Sequence, residues 1–147
     1  MTQFHTLLYG GGVTGAHEPQ SHRPVDEDGD AAMKAAAASY RAAAGEDLAY
    51  KQKQSGGVIV HYAFAASCGA AYGLAVGLSP SIGRGFGLPF GAVLWLAADE
   101  LALPLLGLAK GPAAYPAAVH AEMLAGHLVY GVATHATARL IGLQSPA

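Results

Sequence analysis

Two acids stand side by side in an oily stretch. The segment "LWLAADELALPLLGL", residues 94–108, sets Asp99 and Glu100 among residues that are otherwise apolar, proline or glycine. A charged side chain near the centre of a membrane helix costs about 2.5–3.5 kcal/mol even on the lenient insertion scale, so acids placed there need partners or a task. Neighbouring helical side chains point about 100° apart, so one partner cannot easily serve both. Pro104 has no N–H, which leaves the carbonyl of Glu100 without its usual intrahelical bond and kinks the helix there. Polar side chains and a kink coincide where membrane helices make room for water or a ligand.

Histidines further along supply candidate partners. His120, His127 and Thr134 recur at seven-residue intervals, with Gly131 and His135 on the same side. Seven residues are almost two turns, so one helix face carries His120, Leu124, His127, Gly131, Thr134 and Ala138 with a drift of only about 20° per step. Glu122 points away from that face, and His61 in an earlier segment joins the candidate polar set. Carboxylates with imidazoles permit three chemistries. They can pair as a hydrogen-bonded core, such as Asp99 or Glu100 with His127. They can carry protons or ions, since His titrates near neutral pH. They can hold a metal or haem. The last ranks lowest, because His120 and His127 stand about 10 Å apart along one helix and no HxxxH, ExxH or CxxCH pattern occurs. No metal and no cofactor is expected.

These residues need elements to hold them. The chain has 147 residues, is 52% hydrophobic and only 12% charged, and carries a net charge of −2. Ordinary soluble domains have about 25% charged residues. Most of the charge falls in residues 17–54; beyond Lys53 the acids are Asp99, Glu100 and Glu122 and the bases Arg84, Lys110 and Arg139. Such a charge-poor stretch makes a membrane domain, with the lipid bilayer as its first partner. No basic cluster provides a nucleic-acid footprint. Cys68 is the single cysteine, so it forms no internal disulfide, and a packed thiol is the expected role. The opening "FHTLLYGGGVTGA" lacks a basic start, and glycines break its short apolar part, so it does not read as a signal peptide.

Residues 1–54 read as a polar, partly disordered extension with an alanine-rich helix over 31–54. Residues 55–143 read as the membrane domain, with apolar helices at about 57–78, 86–108 and 117–140. Each meets the roughly 20 residues that a bilayer core about 30 Å thick requires. "SPSIGRG" and "AKGPAAYP" separate them as interfacial turns. The expected fold is therefore all-α, an integral membrane bundle of three transmembrane helices. Ala65, Gly69, Gly73 and Gly77 recur every four residues, a stripe that lets another backbone approach closely, from this chain or from a second copy. Arg41, Lys51, Lys53 and Lys110 fall on one side of such a bundle and Arg84 and Arg139 on the other, which favours a cytoplasmic N-terminus. Nothing suggests an enzyme: there is no nucleophile elbow and no phosphate loop.

Four pieces carry a family resemblance: "HYAFAASCGAAYG" (61–73), "GLPFGAVLWLAADELALPLLGL" (87–108), the "YP" at Tyr115–Pro116, and "GHLVYG" (126–131). Together they span a little over half the chain, and the stretch from His61 to Ile141 resembles the YagU-like family of small bacterial inner-membrane proteins, a domain of unknown function. The resemblance implies a multi-pass helical protein of the bacterial cytoplasmic membrane with no assigned reaction and a loose association with acid tolerance. Members of that family usually begin with a glycine-rich membrane helix and a proline–arginine segment. Here "LLYGGGVTGAHEPQSHRP" (Leu7–Pro24) looks like a remnant of both, and Leu7–Ala16 is too short to span, so a fourth, degraded helix is the alternative architecture. The function expected first is structural or stress-related, acting through helix contacts with a homo-oligomer or another membrane protein. Proton or ion handling by Asp99, Glu100, His61, His120 and His127 is the second, and metal or pigment binding through His120 or His127 the third.

Overall fold

The computed structural model describes residues 29–143. The expected N-terminal remnant at Leu7–Ala16 lies outside them. Every element among the described residues is helical. Helix α1 spans Ala31–Ala44, α2 Tyr50–Leu78, α3 Leu88–Leu94 and α5 Ala117–Leu140, while α4 is the single turn Leu103–Leu105. Between α3 and α4 the chain runs as a π-helix, Trp95–Ala102. The three pieces from Leu88 to Leu105 form one rod, the middle helix.

Local chemistry sets the boundaries. Alanines favour α1, and the Asp30 carboxylate caps it by accepting the Met33 N–H at 2.8 Å. Gly45 closes it in the left-handed conformation at φ 74°. Helix α2 begins at Tyr50, ahead of the apolar stretch, because the Gln52 side chain accepts the Ala49 N–H at 2.9 Å and "KQKQ" is helix-tolerant. The α2–α3 connection turns through three successive left-handed residues, Gly85, Phe86 and Gly87, at φ 81°, 56° and 82°. Glycine takes that geometry freely, whereas Phe86 is a bulky residue held in a sparsely populated region. The middle helix ends after Leu105, where Gly107 at φ 70° reverses the chain.

Helix α1 packs along the start of α2, α3 packs along α5, and α5 touches α2 more sparsely. Val76, Tyr72 and Ala138 are the most buried apolar side chains of the bundle. Chain direction alternates, so the N-terminal end of α2 and the 106–116 loop share one side, and the 79–87 loop and the end of α5 share the other.

Two helices among the described residues are long and apolar enough to cross a membrane, α2 (Tyr50–Leu78) and the middle helix (Leu88–Leu105). Only 11% of the most apolar window of α2, and 17% of that of the middle helix, is buried within the protein. The core helix of a soluble protein would be mostly covered. Here Ile59, Phe64, Leu74, Leu78, Val93 and Leu105 face outward. The sequence leads one to expect three such helices. Helix α5 has the length, at 24 residues, but His120, His127, His135, Glu122 and Arg139 dilute its apolar character.

Candidate functional site

The rod bends its hydrogen-bond pattern at the acids. Pro104 supplies no N–H, and its ring crowds the carbonyl of Glu100 four residues earlier, so no α-turn bond closes there. Upstream the ladder widens, the Leu103 N–H reaching back five residues to the carbonyl of Ala98; after the proline the Leu108 N–H reaches back five to Leu103 at 2.9 Å. A π-segment holds one residue more per turn than the α-helix around it and so re-aims the side chains it contains, a device common at functional sites. The re-aimed side chains are Asp99 and Glu100. Both are buried, each with 7% of its surface exposed, in a helix whose other flanks are apolar.

Each acid meets a histidine of α5. Glu100 Oε1 lies 2.9 Å from His120 Nδ1, and Asp99 Oδ2 lies 3.8 Å from His127 Nδ1. The first is hydrogen-bond distance; the second is an ion-pair distance without a direct hydrogen bond. The two acids, adjacent in the chain and pointing about 100° apart, meet α5 at positions seven residues apart. The other His120 nitrogen, Nε2, donates to the carbonyl of Pro112 at 3.0 Å, tying the 106–116 loop to the pair. Two rings stand edge-on to the imidazole, Trp95 at a centroid distance of 6.4 Å and Tyr115 at 6.3 Å. His127 Nδ1 donates to the Met123 carbonyl one turn earlier, at 2.9 Å, which assigns its tautomer. The indole N–H of Trp95 is buried with no hydrogen-bond partner.

His61 does not join this group. It is exposed on α2, edge-on to Tyr62 with ring centroids 5.7 Å apart. The stripe on α2 faces α5 and the C-terminal end: Ala65 offers its carbonyl to the Tyr130 hydroxyl at 2.5 Å, Gly69 lies beside Tyr130 and Thr134, and Gly73 and Gly77 lie beside Leu143. Those approaches are to side chains and to one loop carbonyl. The tight backbone crossing is elsewhere. A methyl at Gly91 would overlap the carbonyl of His127, and methyls at Gly87 and Gly131 would each overlap the other's carbonyl. The Gly87–Gly91 spacing of four, set against Gly131, is the sequence signal that marks this crossing.

A second polar contact lies near the other end of the bundle. The Tyr72 hydroxyl and His135 Nδ1 are 2.8 Å apart, both residues are buried, and Phe90 and Phe86 wall them in. With the Tyr130–Ala65 bond, this contact docks α2 on the α3–α5 pair. Its sequence signal is faint, since His135 stands one place off the seven-residue series. Among the described residues no group of three or more His, Cys, Asp or Glu side chains is placed to hold a metal ion.

No curated protein and no solved structure is similar to the chain. A family model does match, over residues 37–136, a stretch that takes in α2, the middle helix, the 106–116 loop and most of α5, with both acids and their histidines. The chain belongs to the family described as protein of unknown function, DUF1440.

Proposed function

We propose that the chain is a small multi-pass protein of the bacterial inner membrane, YagU-like in kind, with three transmembrane helices and no catalytic activity. It acts through helix contacts, as a homo-oligomer or beside another membrane protein, in a structural or stress-related role such as acid tolerance. One observation carries this reading: apolar side chains cover the outside of the helices while the two acids are turned inward onto histidines. In water that arrangement is inverted; in hydrocarbon it is the low-energy one, because the bilayer solvates the leucines and the bundle satisfies the acids. Helix α5 spans despite its polar content because His120 and His127 face the acids and His135 is buried against Tyr72. The basic residues Arg41, Lys51, Lys53 and Lys110, against Arg84 and Arg139 on the other side, favour a cytoplasmic N-terminal side.

Reporter fusions at the 79–87 loop, at the 106–116 loop and after α5 test the topology. The reading requires the two loops on opposite sides and the C-terminus opposite the 106–116 loop. Extraction of the chain from membranes by alkaline carbonate would sink it.

A second reading, proton or ion handling, draws support from the hydrogen-bonded Glu100–His120 pair. It predicts that Asp99→Asn with Glu100→Gln lowers proton flux in vesicles while the fold survives. Unchanged flux together with failed assembly leaves the structural role alone.

A further inference from the structure

We infer that Glu100 and His120 hold one proton between them and exchange it only with the membrane face that carries the 106–116 loop. The inference rests on the membrane reading above and adds a ligand, the proton, and a side of access.

Donor and acceptor counting gives the stoichiometry. The Pro112 carbonyl can only accept, so His120 Nε2 must carry a hydrogen. Across the 2.9 Å contact, Nδ1 and Glu100 Oε1 then share a single hydrogen: a neutral imidazole facing a carboxylic acid, or an imidazolium facing a carboxylate. If that proton leaves, the neutral imidazole has one N–H for two acceptors, so it keeps either the Glu100 or the Pro112 contact and releases the other. Either way the ring reorients between the pair and the loop it tethers. The edge-on Trp95 and Tyr115 rings move with the imidazole.

Access is one-sided by packing. Glu100 is 7% exposed at its side chain and His120 24%, so the imidazole is the part of the pair that water reaches, beside the exposed Pro112. Towards the other face, the interface beyond His127 is closed by backbone touching backbone at Gly91–His127 and Gly87–Gly131. Where a methyl does not fit, a water file does not pass. The next buried titratable pair, His135 with Tyr72, lies past that seal. The groups that face the site from the elements around it are Asp99 on the π-segment, His127 on α5 and Tyr115 on the loop, whose hydroxyl accepts from the backbone N–H of the exposed Lys110. Glu122 on α5 and His61 and Tyr62 on α2 are exposed.

Trp95 is the sole tryptophan and sits against His120, so its emission reads the site without a label. The full chain in sealed vesicles, with orientation scored by impermeant-maleimide labelling of Gly111→Cys in a Cys68→Ala background, provides the test. After an external pH step, the emission change should scale with the fraction of molecules whose loop faces outward. The remainder should respond only when an ionophore collapses the gradient. His120→Gln should abolish the change, and His135→Gln should leave it intact. A response from both orientations without ionophore, no response at all, or a response that survives His120→Gln overturns the inference. If His120→Gln does not fold, the sidedness of the unmodified site decides. Failure of the membrane reading would show separately, as a chain that stays folded in buffer and does not enter vesicles.

Discussion

At the scale of single residues, Glu100 and His120 are the most consequential pair. Truncating one partner leaves the other buried and incompletely bonded, which costs about 1–3 kcal/mol per stranded group. Accordingly, His120→Leu should lower the unfolding free energy in detergent by that order, and Glu100→Leu alone should do the same. The double substitution should lose less than the sum, since no stranded group remains; equal additivity in a denaturation series would show that the two do not interact. The Tyr130 hydroxyl makes a lesser bond, to the Ala65 carbonyl. Hydrogen bonds between membrane helices average about 0.6 kcal/mol, so Tyr130→Phe should be a small loss by the same assay. Both acids and the seven-residue histidine series are legible in the sequence, because residue type and helical period are local properties. Which acid meets which histidine is not, because it depends on how the π-segment re-aims two adjacent side chains.

At the scale of elements, Pro104 and the glycine crossing do different jobs. Pro104→Ala restores an N–H where the widened ladder lacks one. The expected outcome is an α-helical segment with Asp99 and Glu100 rotated off their partners, seen as a shift of Trp95 emission to the value of the His120→Gln variant. An unchanged spectrum would locate the cause of the π-segment elsewhere. At the crossing, Gly131→Leu would drive a side chain into the Gly87 carbonyl and the backbone of Gly91. Overpacking typically costs about 1–3 kcal/mol, and a clash with backbone belongs at or above the top of that range. Thermal unfolding in detergent should show it as the most damaging of the glycine substitutions. Gly126→Leu, on an open face of the same helix, should be near neutral. The small-residue stripe on α2 attracts attention in the sequence because it is long and regular. The Gly87, Gly91 and Gly131 trio is harder to notice, because its members lie on two helices and only their juxtaposition gives them meaning.

At the scale of the whole molecule, the distribution of apolar surface governs behaviour. The chain should fractionate with membranes, resist alkaline carbonate and require detergent for a defined oligomeric state in sedimentation analysis. A folded monomer in plain buffer would contradict that. The helical class, the charge-poor stretch after Lys53 and the two turns that flank the middle helix follow from the sequence by itself, since they arise from hydropathy, length and the backbone limits of glycine and proline. The break at Gly45, within the helix expected over 31–54, does not. Tertiary structure alone decided that α3 and α5 approach to backbone contact, that Glu100 takes His120 while Asp99 stands off from His127, and that His61 faces outward while His135 is buried against Tyr72. The physical reason is that period and composition name the face of a helix, but its rotation and depth against a neighbour are set by the closest contacts the two backbones permit. Here those contacts join Gly87 and Gly91 to the backbone of Gly131 and His127, some forty residues further along the chain.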